Sequence, residues 1–66
     1  MADIITNREK EILTALSNGH IVKEISDMLN ISFHTVETHK KNAMRKMKAR
    51  TTTQLVSLAI RSGKIV

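Results

Sequence analysis

Between Lys40 and Arg50 the chain places six cations, Lys40, Lys41, Arg45, Lys46, Lys48 and Arg50, within eleven residues. The chemistry open to such a run is electrostatic: it attracts a polyanion, and nucleic acid is the first partner to test. The rest of the chain sharpens the contrast. Residues 1–37 hold all six acids (Asp3, Glu9, Glu11, Glu24, Asp27, Glu37) against three bases (Arg8, Lys10, Lys23), whereas residues 38–66 hold eight bases and no acid. A merely solvated basic helix face is the plain alternative. His20, His34 and His39 are the only histidines. His34 and His39 stand five apart, about 140° around a helix. With no cysteine or paired carboxylate to complete a set, no metal and no cofactor are expected. The serines and threonines fall at helix caps and turns, no glycine-rich phosphate loop occurs, and no histidine neighbours a nucleophile in a recognisable order. No catalytic residue is therefore named, and the chain reads as a non-enzyme.

The elements that must position these groups are helices. With 66 residues, two glycines, no proline and no cysteine, residues 1–66 read as one domain. A domain of this size buries only about 60% of its unfolded surface, and here its core must be aliphatic. Thr6-Asn7-Arg8-Glu9 has the form of a capping box and opens a first helix over about 7–18, with Ile12, Leu13 and Leu16 on one face and Asn18-Gly19 as its stop. A second runs over about 21–29 with Val22, Ile25 and Leu29 inward. Asn30-Ile31-Ser32 breaks it, and Ser32 caps the next helix. This third helix, over about 33–48, turns Val36, Lys40, Ala43 and Met47 to one side, flanked by Phe33 and Met44. The opposite side carries His34, Glu37, Thr38, Lys41, Arg45 and Lys48. A fourth, over about 52–62, opens at the capping-box pattern Thr51-Thr52-Thr53-Gln54 and turns Leu55, Val56, Ala59 and Ile60 inward. Gly63 stops it and Ile65 can fold back onto the core. The fold class is all-α: a compact four-helix bundle containing a helix-turn-helix.

In a helix-turn-helix the second helix of the motif must keep one face free of the core, because that face enters the major groove N-terminal end first. Base readers are then expected early, at His34, Glu37, Thr38 and Lys41, and phosphate contacts later, at Arg45, Lys46 and Lys48. Lys23, with the free N–H groups opening the second helix, is a further phosphate site. For His34 plain solvent exposure stays open. For Glu37 two roles stay open, accepting from a cytosine N4 amine or pairing with Lys41 four residues on.

The motifs Ile5-Thr6-Asn7-Arg8-Glu9, Ile12-Leu13, Gly19, Lys23-Glu24-Ile25, Leu29-Asn30-Ile31-Ser32, Thr35-Val36-Glu37-Thr38-His39, Asn42-Ala43, Lys46-Met47 and Leu55-Val56 with Ala59 succeed one another without a large insertion. Together they resemble the LuxR-type helix-turn-helix domain, also called FixJ- or GerE-like, over about residues 5–66. The resemblance implies a bacterial transcription regulator or its output domain that binds duplex DNA sequence-specifically. It implies Glu37, Thr38 and Lys41 as groove readers and Thr35 and Lys46 as backbone contacts. It also implies a homodimer through the last helix, where Gln54, Ser57, Leu58 and Arg61 lie outside the apolar stripe, and it allows RNA polymerase as a further partner. Relatives usually join this domain to a receiver or ligand-sensing domain, so an excised output domain or a small stand-alone regulator is expected. Three departures matter. Ile21-Val22 replaces the usual Ser-Asn and loses a side-chain cap, at about 1 kcal/mol. Glu37 replaces a frequent Lys. Ala43 replaces a larger aliphatic residue, a gap that Met44 and Met47 can fill.

The lack of a signal-peptide pattern and of any apolar run near the roughly 18 residues of a membrane span points to the cytoplasm, with no membrane and no small-molecule partner. A helical protein-interaction module is the alternative function. A single-strand or RNA binder is disfavoured because Phe33 is the only aromatic available for stacking.

Overall fold

The computed structural model describes residues 4–65. It has four helices in chain order: α1 (Asn7–Ser17), α2 (Val22–Leu29), α3 (Phe33–Met47) and α4 (Thr52–Arg61). Each end differs from the sequence expectation by at most one residue, and each difference is a cap. Asn18 and Ser62 are C-caps, Ile21 is an extended N-cap, and Lys48 turns left-handed at φ 55°. No strand occurs among the described residues.

Capping chemistry places the helix starts. Thr6 accepts the Glu9 N–H while Glu9 accepts the Thr6 N–H, at 3.1 and 3.0 Å, so the expected capping box is closed. Ser32 accepts the Thr35 N–H at 3.0 Å and opens α3 as expected. Thr51 accepts the Gln54 N–H at 3.0 Å, but Gln54 Oε1 reaches past the cap to the Arg50 N–H at 2.7 Å, so that box closes one residue early. Ile21 has no side-chain oxygen to offer α2, and only the returning half survives, Glu24 Oε1 accepting the Ile21 N–H at 2.9 Å. Asn30 takes the left-handed conformation at φ 56°, which an asparagine tolerates and which turns the chain into α3 within three residues.

α3 packs against all three other helices. Ile12, Ala15, Ile25 and Val36 bury one cluster beneath α1, α2 and the start of α3, with Leu16, Val22, Leu29 and Ile31 around it. Ile5, Leu13, Ala43, Leu55, Ala59 and Ile65 bury a second beneath α4, with Met44 and Met47 filling in beside Ala43. Ala43, Ala59 and Ala15 carry only a methyl, which lets backbones approach closely. Two expectations fail at the edges. Phe33 is 55% exposed instead of flanking the core, and Ile60 is 48% exposed instead of pointing inward.

A carboxylate lies within this apolar interior. Glu9 is only 2% exposed. Lys46 donates to its Oε1 and Oε2 at 2.8 and 3.0 Å and to the Ile4 carbonyl at 3.0 Å. Three acceptors use all three ammonium hydrogens, as burial of a charge requires. Burial pushes the Glu9 carboxyl up, but hydrogen bonds from Lys46 and from the Thr6 N–H outweigh it and hold the group below its ordinary 4.5. A depressed carboxylate stabilises the fold fully above that ordinary value, and the contribution is lost as pH falls through the lower folded value. Glu9→Gln leaves Lys46 buried without a counter-charge and should cost about 3–5 kcal/mol at neutral pH. Urea titrations should show the gap between variant and wild type closing in acid, where Glu9 takes up its proton.

Candidate nucleic-acid interface

α3 presents a free face because Val36, Ala43 and Met47 turn its other face inward. His34, Thr38, Lys41 and Arg45 are exposed along it, and Lys48 is exposed just past its end. Lys41 and Arg45 are one helical turn apart and so share a side. Thr35 is half-buried at the first turn, its hydroxyl 2.8 Å from that of Ser32. Thr38 donates its hydroxyl hydrogen to the His34 carbonyl at 3.0 Å. It is left an acceptor with a methyl group, a pair suited to a base amine and a thymine methyl.

Ion pairing decides which charges remain available. Four of the five acids among the described residues have a cationic partner, Glu9 with Lys46, Glu11 with Arg8, Asp27 with Lys23 and Glu37 with Lys40, and Glu24 lies 3.4 Å from His20, which is a counter-charge only when protonated. Lys41, Arg45, Lys48 and Arg50 are in none of these pairs, and neither are Lys10 on α1 and Arg61 and Lys64 at the end of the chain. The densest uncompensated charge therefore lies on α3 and the turn after it. Arg50, which the periodicity of α3 does not reach, ends the basic run, and its exposed side chain extends the cationic surface past Lys48.

Three sequence expectations change here. Lys46 is not a free phosphate contact: its ammonium is spent on Glu9 and Ile4 and its side chain is only 10% exposed. Glu37 pairs with Lys40 at 3.4 Å instead of Lys41, because the partly buried Lys40 stem brings its ammonium out beside it. Lys23 leans toward Asp27 at 3.9 Å, an exposed and weak pair, and stays within reach of solvent. The start of α2 also carries a carboxylate of its own. The Ile21 N–H holds Glu24 below its ordinary value against the effect of burial, with a further contribution from His20, so a carboxylate already occupies the N–H end of α2 while the Lys23 ammonium still reaches solvent.

The expected dimer residues lie on α4. By helical periodicity Ile60, Ser57, Arg61, Gln54 and Leu58 succeed one another around its outer side. Arg61 is exposed, Ser57 and Leu58 are half-buried, and Gln54 is engaged with the Arg50 N–H. Among the described residues no three His, Cys, Asp or Glu side chains gather as a metal site, and no helix is long and apolar enough to cross a membrane.

Comparison with known proteins agrees with this geometry. The profile of the bacterial regulatory proteins of the luxR family matches residues 3–59. The response regulatory protein YgeK of Escherichia coli, itself uncharacterised, is 42% identical over 59 residues, 89% of this chain and 40% of its own length. The transcriptional regulatory protein FixJ of Rhizobium meliloti is 41% identical over 89% of this chain and 29% of its own. The oxygen regulatory protein NreC of Staphylococcus carnosus is 38% identical over 88% and 27%. The chain thus spans well under half the length of these relatives. The solved structure of the transcription factor GerE superimposes with a TM-score of 0.88 at 33% identity, covering 92% of this chain and 91% of that one.

Lys48, in no ion pair among the described residues, is held in a backbone conformation that costs an L-residue roughly 1–2 kcal/mol. Lys48→Gly should raise the thermal midpoint by a few degrees, the relief being partly offset by glycine's freer unfolded chain. The same variant should bind DNA more weakly, so melting and binding measurements should move in opposite directions.

Proposed function

The chain is a helix-turn-helix DNA-binding domain belonging to the LuxR family of bacterial regulatory proteins, and from that premise we propose that it binds duplex DNA sequence-specifically with α3 in the major groove. The observation that carries the reading is where the cations lie: among the described residues Lys41, Arg45 and Lys48 are in no ion pair, and they stand on and just beyond the exposed face of α3. Residues 1–66 act as one domain in this reading, and no reaction is assigned to it.

The contacts divide by chemistry. His34, Glu37, Thr38 and Lys41 face base edges near the N-terminal half of α3, while Thr35, Arg45 and Lys48, with Lys23 from α2, meet phosphates. Lys46 is left out, since it holds the scaffold. Lys41 suits the O6 and N7 acceptors of guanine. Glu37 suits the N4 amine of cytosine, with Lys40 beside it to blunt its repulsion from the backbone. One module of this size buries a modest interface, so a homodimer through the outer side of α4 supplies affinity and fixes the spacing of two half-sites. Leu58, Ser57, Arg61 and Gln54 belong to that surface, and the exposed Ile60 joins them. The compartment is the cytoplasm. As part of a transcription regulator the domain would work beside RNA polymerase, the second macromolecule it is proposed to meet.

Selection of binding sites from random duplexes tests the reading as a whole. It should return a conserved motif with a fixed half-site spacing; no enrichment would favour a protein-interaction module. On the recovered site Lys41→Ala should lose about 1–3 kcal/mol while its binding to random DNA changes little. Arg45→Ala should weaken both equally and reduce the salt dependence by about one ion. Ile60→Glu should keep the fold yet shift sedimentation at high concentration toward the monomer.

A further inference from the structure

One exposed residue of α3, at the rim of its free face, is used by none of the assigned contacts. Phe33 is the only aromatic in the chain. It is 55% exposed, and it belongs to neither buried cluster nor to the residues packed around them. It is the first residue of α3, directly after the Ser32 cap. Steps of four residues turn about 40° around a helix, so Phe33, Glu37 and Lys41 form one gently winding row. Phe33 is the N-terminal member of that row, at the end of the helix that enters a groove first. Its neighbours there are polar: the Ser32 and Thr35 hydroxyls, exposed His34, and the Glu37–Lys40 pair.

Resting on the DNA-binding reading above, we propose that Phe33 is a specificity-determining residue that reads the 5-methyl group of a thymine in the major groove. Its ring can neither donate nor accept a hydrogen bond. Of the groups the four bases show in the major groove, the thymine methyl is the one apolar marker. A polar base edge against the ring would lose its water and gain no partner, so the same contact rejects the other bases at that position. Phe33 thereby specifies an A·T pair adjacent to the pair read by Glu37.

The test uses the 66-residue chain and the duplex site recovered by selection, with each thymine replaced singly by deoxyuridine, which removes only the methyl. Wild type should show one thymine per half-site whose replacement weakens binding about three- to tenfold. Phe33→Ala, checked by circular dichroism for an unchanged fold, should bind the thymine and uracil duplexes equally there, at about the level of wild type on uracil. Phe33→Leu should restore part of the difference. If no thymine is sensitive, or if the sensitivity persists in Phe33→Ala and is therefore read by another group such as the Thr38 methyl, the proposal is overturned while the DNA reading stands. If selection returns no site, both fall together.

Discussion

The ion pair between Glu9 and Lys46 is the interaction on which the rest of the arrangement depends. It joins the first turn of α1 to the last turn of α3, and through Ile4 it also holds the segment entering α1. The same carboxylate closes the capping box with Thr6. One buried group thus starts a helix, anchors a second and satisfies a third segment. In a domain with so small a core, the rotation of α3 about its own axis is set by few constraints. The pair supplies one on the α1 side, and Val36 and Ala43 supply the apolar ones. The face left over is the face offered to DNA.

That rotation has an electrostatic consequence. A chain of net charge +5 could distribute its excess evenly and bind nothing in particular. Here Glu11, Asp27 and Glu37 pair with a base on their own helix and Glu9 pairs across the core. The remaining cations of the basic run project from one side of α3 and the turn after it. Lys48 shows how strongly this end is determined. It accepts a left-handed backbone, where glycine would be at ease, and keeps a charge at the point where the helix stops.

Much of the fold was legible because its determinants are local. Thr6, Ser32 and Thr51 announce three helix starts by hydroxyl chemistry within three residues of the groups they satisfy, and Asn30 and Gly63 announce stops. The reading face was legible because α3 is long enough for periodicity to separate Val36 and Ala43 from Thr38 and Lys41. What escaped depends on distance or on short averages. Lys46 reads as one more base in a basic run, and only tertiary packing brings Glu9, 37 residues away, against it. Glu37 has candidate partners three and four residues on, and the depth of Lys40 decides between them. On the short α4, residue chemistry suggested that Ile60 points inward, while the helix sets it 48% exposed beside Leu55 and Ala59, which are fully buried. Phe33 failed because its helical angle sets it beside the core stripe, while its place as the first residue of α3 leaves it exposed.

In the proposed complex the free cations on and just after α3 form a phosphate-binding surface around a groove-reading row. The salt dependence of duplex binding tests it most directly. Each phosphate contact releases close to one counterion, so with Arg45, Lys48 and Lys23 or Arg50 engaged, log K against log salt should fall with a slope of roughly −3 per bound protomer. A slope near zero on the selected site would mean that the backbone is not being neutralised, and it would contradict the account.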